Sequence, residues 1–289
     1  MNQRNLHNEL ISILKLQTPK DTRPVDLLMK YLPISKESAY RRLRGEIQLS
    51  LDEAIILAKK MEVSLDNLIS KCQEDKYTFH ISPFIINHPL DKYSQTLADI
   101  MDSYQFIKSD PDCFCYMVGK ILYPTFYFKH KEFTQFTLFK WIYLVQDSTQ
   151  YPSFSEIIIP PQLEELFKSF WDIAIQIPST YILNDFLFTS LAKDLRYYLT
   201  INLLTKKEVE ILKTQILMII DEMEETAVLG TYKNGAKVSM YITDSYFDFS
   251  YNYIKGNGFD ACGIGIYGLN FISCQNKQVT KNQRIWIES

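Results

Sequence analysis

The chain has 289 residues, 46% of them hydrophobic, and carries a formal net charge of −3. That length is comfortable for two domains, the hydrophobic share suits a sizeable core, and the acidic balance excludes indiscriminate affinity for nucleic acid. No apolar run approaches the roughly 18 residues needed to span a membrane, so no membrane partner is expected. The charge is uneven. Residues 1–76 hold 13 Lys and Arg against 11 Asp and Glu, and the remainder holds 18 against 23. A slightly basic head on an acidic body suits a DNA reader joined to a domain with another task.

Taken from the start, Leu6, Leu10, Ile13 and Leu14 recur on one stripe of an amphipathic helix that stops at Thr18-Pro19. A short helix is expected next over residues 22–31, with Thr22 as its cap and Pro24 in its first turn. Leu32-Pro33-Ile34 breaks it, because Pro33 disfavours a helical Leu32. Ser35 then caps another helix with its hydroxyl, and Gly45 closes it at the left-handed position. Between them Ala39 and Leu43 share one face, Lys36, Tyr40 and Arg44 form a row on another, and Glu37 with Arg41 runs alongside. Arg and Lys bond guanine edges or phosphates, and a Tyr hydroxyl bonds phosphate. A helix, a short turn and a second helix with polar outward positions predict a helix-turn-helix. Ser50-Leu51-Asp52-Glu53 is a capping box opening a helix to residue 61, and Ser64-Leu65-Asp66-Asn67 caps one more.

These residues resemble the λ-repressor-like (XRE-type) DNA-binding domain, over roughly residues 20–70. The resemblance is carried by Ile34-Ser35 through to Arg44-Gly45-Glu46, by Leu51-Asp52-Glu53 and by Val63-Ser64-Leu65-Asp66-Asn67-Leu68. Ala39-Tyr40-Arg41-Arg42-Leu43-Arg44-Gly45 is similar to the A-Y-R-R-x-R-G end of the recognition helix in bacterial regulators with a long C-terminal domain. It implies a sequence-specific transcriptional regulator, a homodimer on double-stranded DNA. Lys36, Glu37, Tyr40 and Arg41 would reach base edges, Arg42 or Arg44 phosphate, and Ser35 and Ser50 the DNA backbone through their helix N-termini. It also implies a C-terminal domain that oligomerises or senses a small-molecule or protein effector. Two other readings stay open: a protein-interaction scaffold that does not bind DNA, and an antitoxin or phage-type repressor.

Residues 73–76 are a polar connector, and residues 77–81 look like a strand. Leu97, Ile100, Met101 and Tyr104 mark a helix, and residues 114–118 suit a strand or a buried helix turn. Phe133, Phe136, Phe139, Lys140 and Tyr143 belong to an aromatic helix ending near residue 146. Pro160-Pro161 opens another, with Leu163, Phe167 and Phe170, which stops before Pro178, and a further helix is expected over residues 184–204. Thr205-Lys206-Lys207-Glu208 is a capping box for a helix whose stripe of Val209, Leu212, Ile216, Ile219 and Met223 either packs in its own domain or forms a dimer seam. Residues 228–232 and 237–243 around Asn234-Gly235, and 247–254 and 261–267 around Lys255-Gly256-Asn257-Gly258, predict two hairpins. Residues 276–289 predict a terminal helix with Val279, Ile285 and Trp286 partly buried. The expected fold is multidomain: an all-α λ-repressor-like helix-turn-helix bundle in residues 1–72, then an α+β domain in 77–289 with helices first and antiparallel hairpins last.

A Walker loop, a GxSxG elbow, an HExxH helix and a Rossmann fingerprint are all missing, so neither an enzyme nor a cofactor is expected. Gly263-Ile264-Gly265-Ile266-Tyr267-Gly268 reads as a strand edge with close packing. Asp244, Asp248 and Asp260 sit beside turns, where aspartates serve local backbone bonds rather than a metal. The five cysteines form no CxxC pair, Cys113 and Cys115 suit buried small hydrophobes, and nothing reads as a signal peptide. A cytoplasmic protein with reduced thiols is expected.

Overall fold

A computed structural model describes residues 6–19, 21–61, 63–65, 68, 79–81, 87–146, 151–233, 235–245 and 247–289. They belong to two compact units, Met1–Thr78 and Phe79–Ser289.

The described part of the first unit is helical: α1 Leu6–Gln17, α2 Pro24–Tyr31, α3 Lys36–Leu43 and α4 Leu51–Lys60. Leu10, Leu14, Leu28, Ala39 and Leu57 are wholly buried, and the predicted stripe of α1 supplies the first two. Full burial of each leucine contributes roughly 1.5–3 kcal/mol, which holds helices too short to be stable alone. The cap of α2 differs from expectation. Pro24 occupies the first helical position, so the cap is Arg23, extended before the proline, and Thr22 lies one residue too early. Arg23 makes no side-chain cap and pairs with Asp26 instead. Leu32 is extended before Pro33 and buried, which ends α2 as the sequence predicts. Of the expected Ser64 cap, Leu68 is buried and its N–H reaches the Ser64 carbonyl at 3.3 Å. Asp66, Asn67 and the 73–76 connector lie outside the described residues.

The second unit is a mixed α/β fold. Its helices are α5 Pro89–Ile107, the single turn α6 Pro124–Tyr127, α7 Lys131–Val145, α8 Pro161–Ala174, α9 Phe186–Thr200, α10 Lys206–Leu229 and α11 Lys277–Glu288. Its strands are β1 His80–Ile81, β2 Phe114–Gly119, β3 Ser179–Asn184, β4 Val238–Thr243, β5 Ser250–Gly256, β6 Phe259–Tyr267 and β7 Asn270–Cys274. Among the described residues they form one seven-stranded sheet in the order β1-β7-β6-β5-β2-β3-β4. One half, β2-β3-β4, is parallel, and the other is antiparallel.

Parallel neighbours need helical crossovers, and this requirement overturns three expectations. Residues 179–184 form β3, a central strand that the periodicity of six residues did not announce. Helices and strands therefore interleave rather than fall into two blocks. The first expected hairpin is absent: α10 runs through Val228 and Leu229 to Gly230, and β4 pairs in parallel with β3. All that remains of that hairpin is a Thr231–Lys237 bridge in a tight loop, where Tyr232 shares a buried hydroxyl bond of 2.6 Å with Tyr181. The second hairpin is present as β5–β6, with Asn257 and Gly258 both at positive φ in the turn.

Helices α5 to α10 contribute to one large core with Met117, Tyr181, Leu183 and Val238 of the sheet. The stripe of α10 belongs there: Val209, Leu212, Ile219 and Met223 are buried within the unit, which removes it as a dimer seam. On another part of the sheet α11 packs with Val118, Tyr253, Cys262 and Cys274. Thr280 and Ile287 are its buried residues and Val279 is partly buried, while Ile285 and Trp286 are both exposed, contrary to expectation, although Trp286 sits edge-on to Tyr251 at 5.0 Å. Cys113, Cys115, Cys262 and Cys274 are free and buried. Burial pushes the Cys262 thiol up to about 12, so it stays protonated and unreactive. No described helix is long and apolar enough to cross a membrane. No group of three metal-capable side chains occurs among the described residues.

Candidate nucleic-acid interface

The sequence of α3 makes a short helix with two unlike faces. Ser35 caps it, accepting from the Ser38 N–H at 3.3 Å, and Gly45 follows its last turn at φ 77°. Ala39 is wholly buried and Leu43 packs against the core. On the other side Lys36, Glu37, Tyr40, Arg41 and Arg44 are exposed. The side chains of Lys36, Glu37 and Tyr40 have no hydrogen-bond or ion-pair partner among the described residues. Arg44 forms a two-pronged bond to Glu46, at 2.6 and 3.1 Å, and Arg41 lies 3.6 Å from the same carboxylate. These contacts are exposed, and a phosphate can replace the carboxylate at little cost.

Arg42 is different. Its guanidinium forks onto Glu53 of α4, at 3.1 and 2.8 Å, and also bonds Ser38 Oγ. Its side chain is 13% exposed and that of Glu53 16%. This corrects its expected place on phosphate: Arg42 clamps α3 to α4 and is not offered to a groove. Glu53 also accepts from the Ser50 N–H at 2.9 Å, while Ser50 Oγ accepts from the Glu53 N–H. The capping box is thus joined to the clamp. The Oγ atoms of Ser35 and Ser50 are engaged as caps, so what these helix starts can offer a phosphate is backbone N–H.

Two residues of this region escaped the sequence. His7 of α1 is buried, its Nδ1 accepting from the Leu49 N–H at 3.1 Å and its Nε2 lying 3.0 Å from the Arg42 carbonyl. A ring that accepts at Nδ1 is neutral and carries its proton on Nε2, where it donates to Arg42. A lone histidine on an amphipathic helix gives no periodic signal of such a role. Arg23 was assigned no part, yet it pairs with Asp26, whose carboxyl is held below its usual value first by Arg23 and, more weakly, by Lys36. The start of α2 therefore adds a cation beside the outer face of α3.

No protein-family model, curated protein or solved structure matches this chain.

The interior of this unit is sensitive to acid. Burial lowers the His7 pKa below its usual 6.5, ahead of the opposing bond to Arg42. Burial raises the Glu53 carboxyl, but bonds from Arg42 and the Ser50 N–H outweigh it and hold the group below its usual 4.5. Both folded values lie under the unfolded ones. The His7 contribution is therefore complete above about pH 6.5 and is lost as pH falls toward its folded value; that of Glu53 is complete above about pH 4.5 and fades below it. Amide exchange at Leu49 is expected to quicken as pH falls below about 6.5, after correction for intrinsic rates, and His7→Gln should flatten that response. An equal response in both proteins would remove His7 as its cause.

Proposed function

We propose that the chain is a transcriptional regulator that reads double-stranded DNA, with α3 lying in the major groove. The observation that carries this is the division of α3: a clamped inner side, and an outer side whose Lys36, Glu37 and Tyr40 side chains have no hydrogen-bond or ion-pair partner among the described residues. A short helix clamped on its inner side and presenting uncommitted donors and acceptors suits base-edge readout, because the backbone that carries them is already ordered. Lys36, Glu37, Tyr40 and Arg41 are the base-edge set. Arg44 and Arg23 are the phosphate set, and the starts of α3 and α4 add backbone N–H groups. The helix-turn-helix reading is supported by the connection of α2 to α3 through residues 32–35 and by the core they share. An α3 of eight residues spans only a few base pairs, so a homodimer on two half-sites is part of the proposal.

Gel shifts with genomic DNA fragments at two salt concentrations test it. Affinity of the full chain should fall steeply with salt, and Arg44→Ala should make the slope shallower by about 0.9 for its lost phosphate. Binding indifferent to salt contradicts the reading. A slope unaltered in Arg44→Ala removes that residue from the phosphate set.

A further inference from the structure

The second unit contains a cleft of about 700 Å³, within the roughly 300–1,000 Å³ typical of small-molecule sites. Its origin lies in the register of the antiparallel half of the sheet. Asn252 stands opposite Gly263, Ile254 opposite Ala261, and Gly263 opposite Ser273. Small residues thus recur where the parallel half carries Tyr181, Leu183 and Val238. Gly263 is the key to the floor, because a Cβ there would lie 2.5 Å from Asn252 Oδ1. The glycine lets the Asn252 carboxamide lie across it. The glycine-rich stretch is therefore not at a sheet edge: β6 runs between β5 and β7.

The lining has the two components a ligand needs. Tyr104, Tyr127, Trp141 and Phe170 give it aromatic surface. Helix α5 adds a polar line, Lys92, Thr96, Asp99 and Ser103, at spacings that put all four on one face toward the cleft. Lys140 is neutralised by its ion pair with Asp194, and Asp99 accepts from Gln95. The Lys92 ammonium and the Asn252 carboxamide line the cleft with no partner among the described residues. An unpaired cation and an unpaired amide beside aromatic walls match one chemistry.

We propose that this cleft binds a small amphipathic anion, an aromatic or aliphatic body carrying a single carboxylate or sulfonate, with the anionic head on Lys92 and a hydrogen bond to Asn252. The site is independent of DNA binding and is tested without DNA. The probe is 8-anilinonaphthalene-1-sulfonate, titrated into the full chain by fluorescence and calorimetry, with neutral N-phenyl-1-naphthylamine as its uncharged counterpart. The wild-type chain should bind one equivalent of the sulfonate and prefer it to the neutral probe. Lys92→Gln should weaken the sulfonate about tenfold and erase the preference. Ser273→Trp, which fills the floor, should abolish binding of both probes. Asn252→Leu keeps the branched outline of the side chain without its polar atoms and should weaken the sulfonate by a smaller factor, which guards against a Ser273 variant that fails to fold. Absence of saturable binding overturns the proposal, as does equal affinity in wild type, Lys92→Gln and Asn252→Leu. Unchanged preference in Lys92→Gln, with binding lost in Ser273→Trp, overturns the anionic class.

Discussion

Arg42→Ala is expected to destabilise the first unit by about 2–3 kcal/mol. The substitution removes both prongs of the Glu53 pair and the bond to Ser38 Oγ. It leaves the Glu53 carboxylate 16% exposed, with the Ser50 N–H as its remaining donor in the clamp. A mostly buried carboxylate without its cation is costly because neither water nor protein completes its shell. Arg42→Lys should recover only part, since an ammonium cannot fork onto a carboxylate. Amide exchange in α3 and α4 provides the readout. Affinity for every DNA sequence should drop together in Arg42→Ala, through lost order rather than a lost contact. If Arg42→Ala leaves exchange in α3 unchanged while altering base preference, Arg42 is a reader and the clamp is wrongly assigned.

Gly119→Ala is expected to cost the second unit about 2–6 kcal/mol. Gly119 ends β2 at φ 137°, a conformation that L residues rarely adopt. A Cβ there would lie 2.6 Å from the Cα of Ser250, which is backbone of the neighbouring strand and cannot rotate away. Strain and overlap therefore add, at about 1–3 kcal/mol each. Gly258→Ala provides the control: φ is 72° in the β5–β6 turn, but nothing lies within 4 Å of the added methyl. Strain alone should cost it about 1–2 kcal/mol. Urea unfolding of the two variants side by side decides the matter. Equal losses would mean that the β2–β5 junction yields and that the overlap at Ser250 is relieved.

What the sequence revealed, and what it hid, divides by range. Ser35, Ser50 and Thr205 act as caps where predicted, because capping joins residues only two or three apart. The Asn257-Gly258 turn is legible for the same reason. Strand β3 was missed because a short run after Pro178 acquires its meaning from β2 and β4, distant in the chain. The Asn234-Gly235 signal predicted a hairpin, but Val228 and Leu229 continue α10 and the strand beyond finds β3. Within the candidate interface, the exposed row of Lys36, Tyr40 and Arg44 follows from helical spacing alone. Arg42 was misplaced because its partner Glu53 sits on another helix, and two adjacent arginines look alike in sequence. His7 and Arg23 enter only through the tertiary arrangement.

Selection of binding sites from a random duplex pool, run in parallel with the full wild-type chain and with Arg41→Ala, tests the reading of α3 most directly. The wild-type chain should enrich a defined motif, with two half-sites about one helical turn apart if it binds as a dimer. Arg41→Ala should enrich the same motif with one position relaxed, reflecting about 1–3 kcal/mol of lost discrimination at that base pair. A pool that stays random for the wild-type chain at low salt, where phosphate contacts are strongest, would contradict sequence-specific DNA reading by this protein.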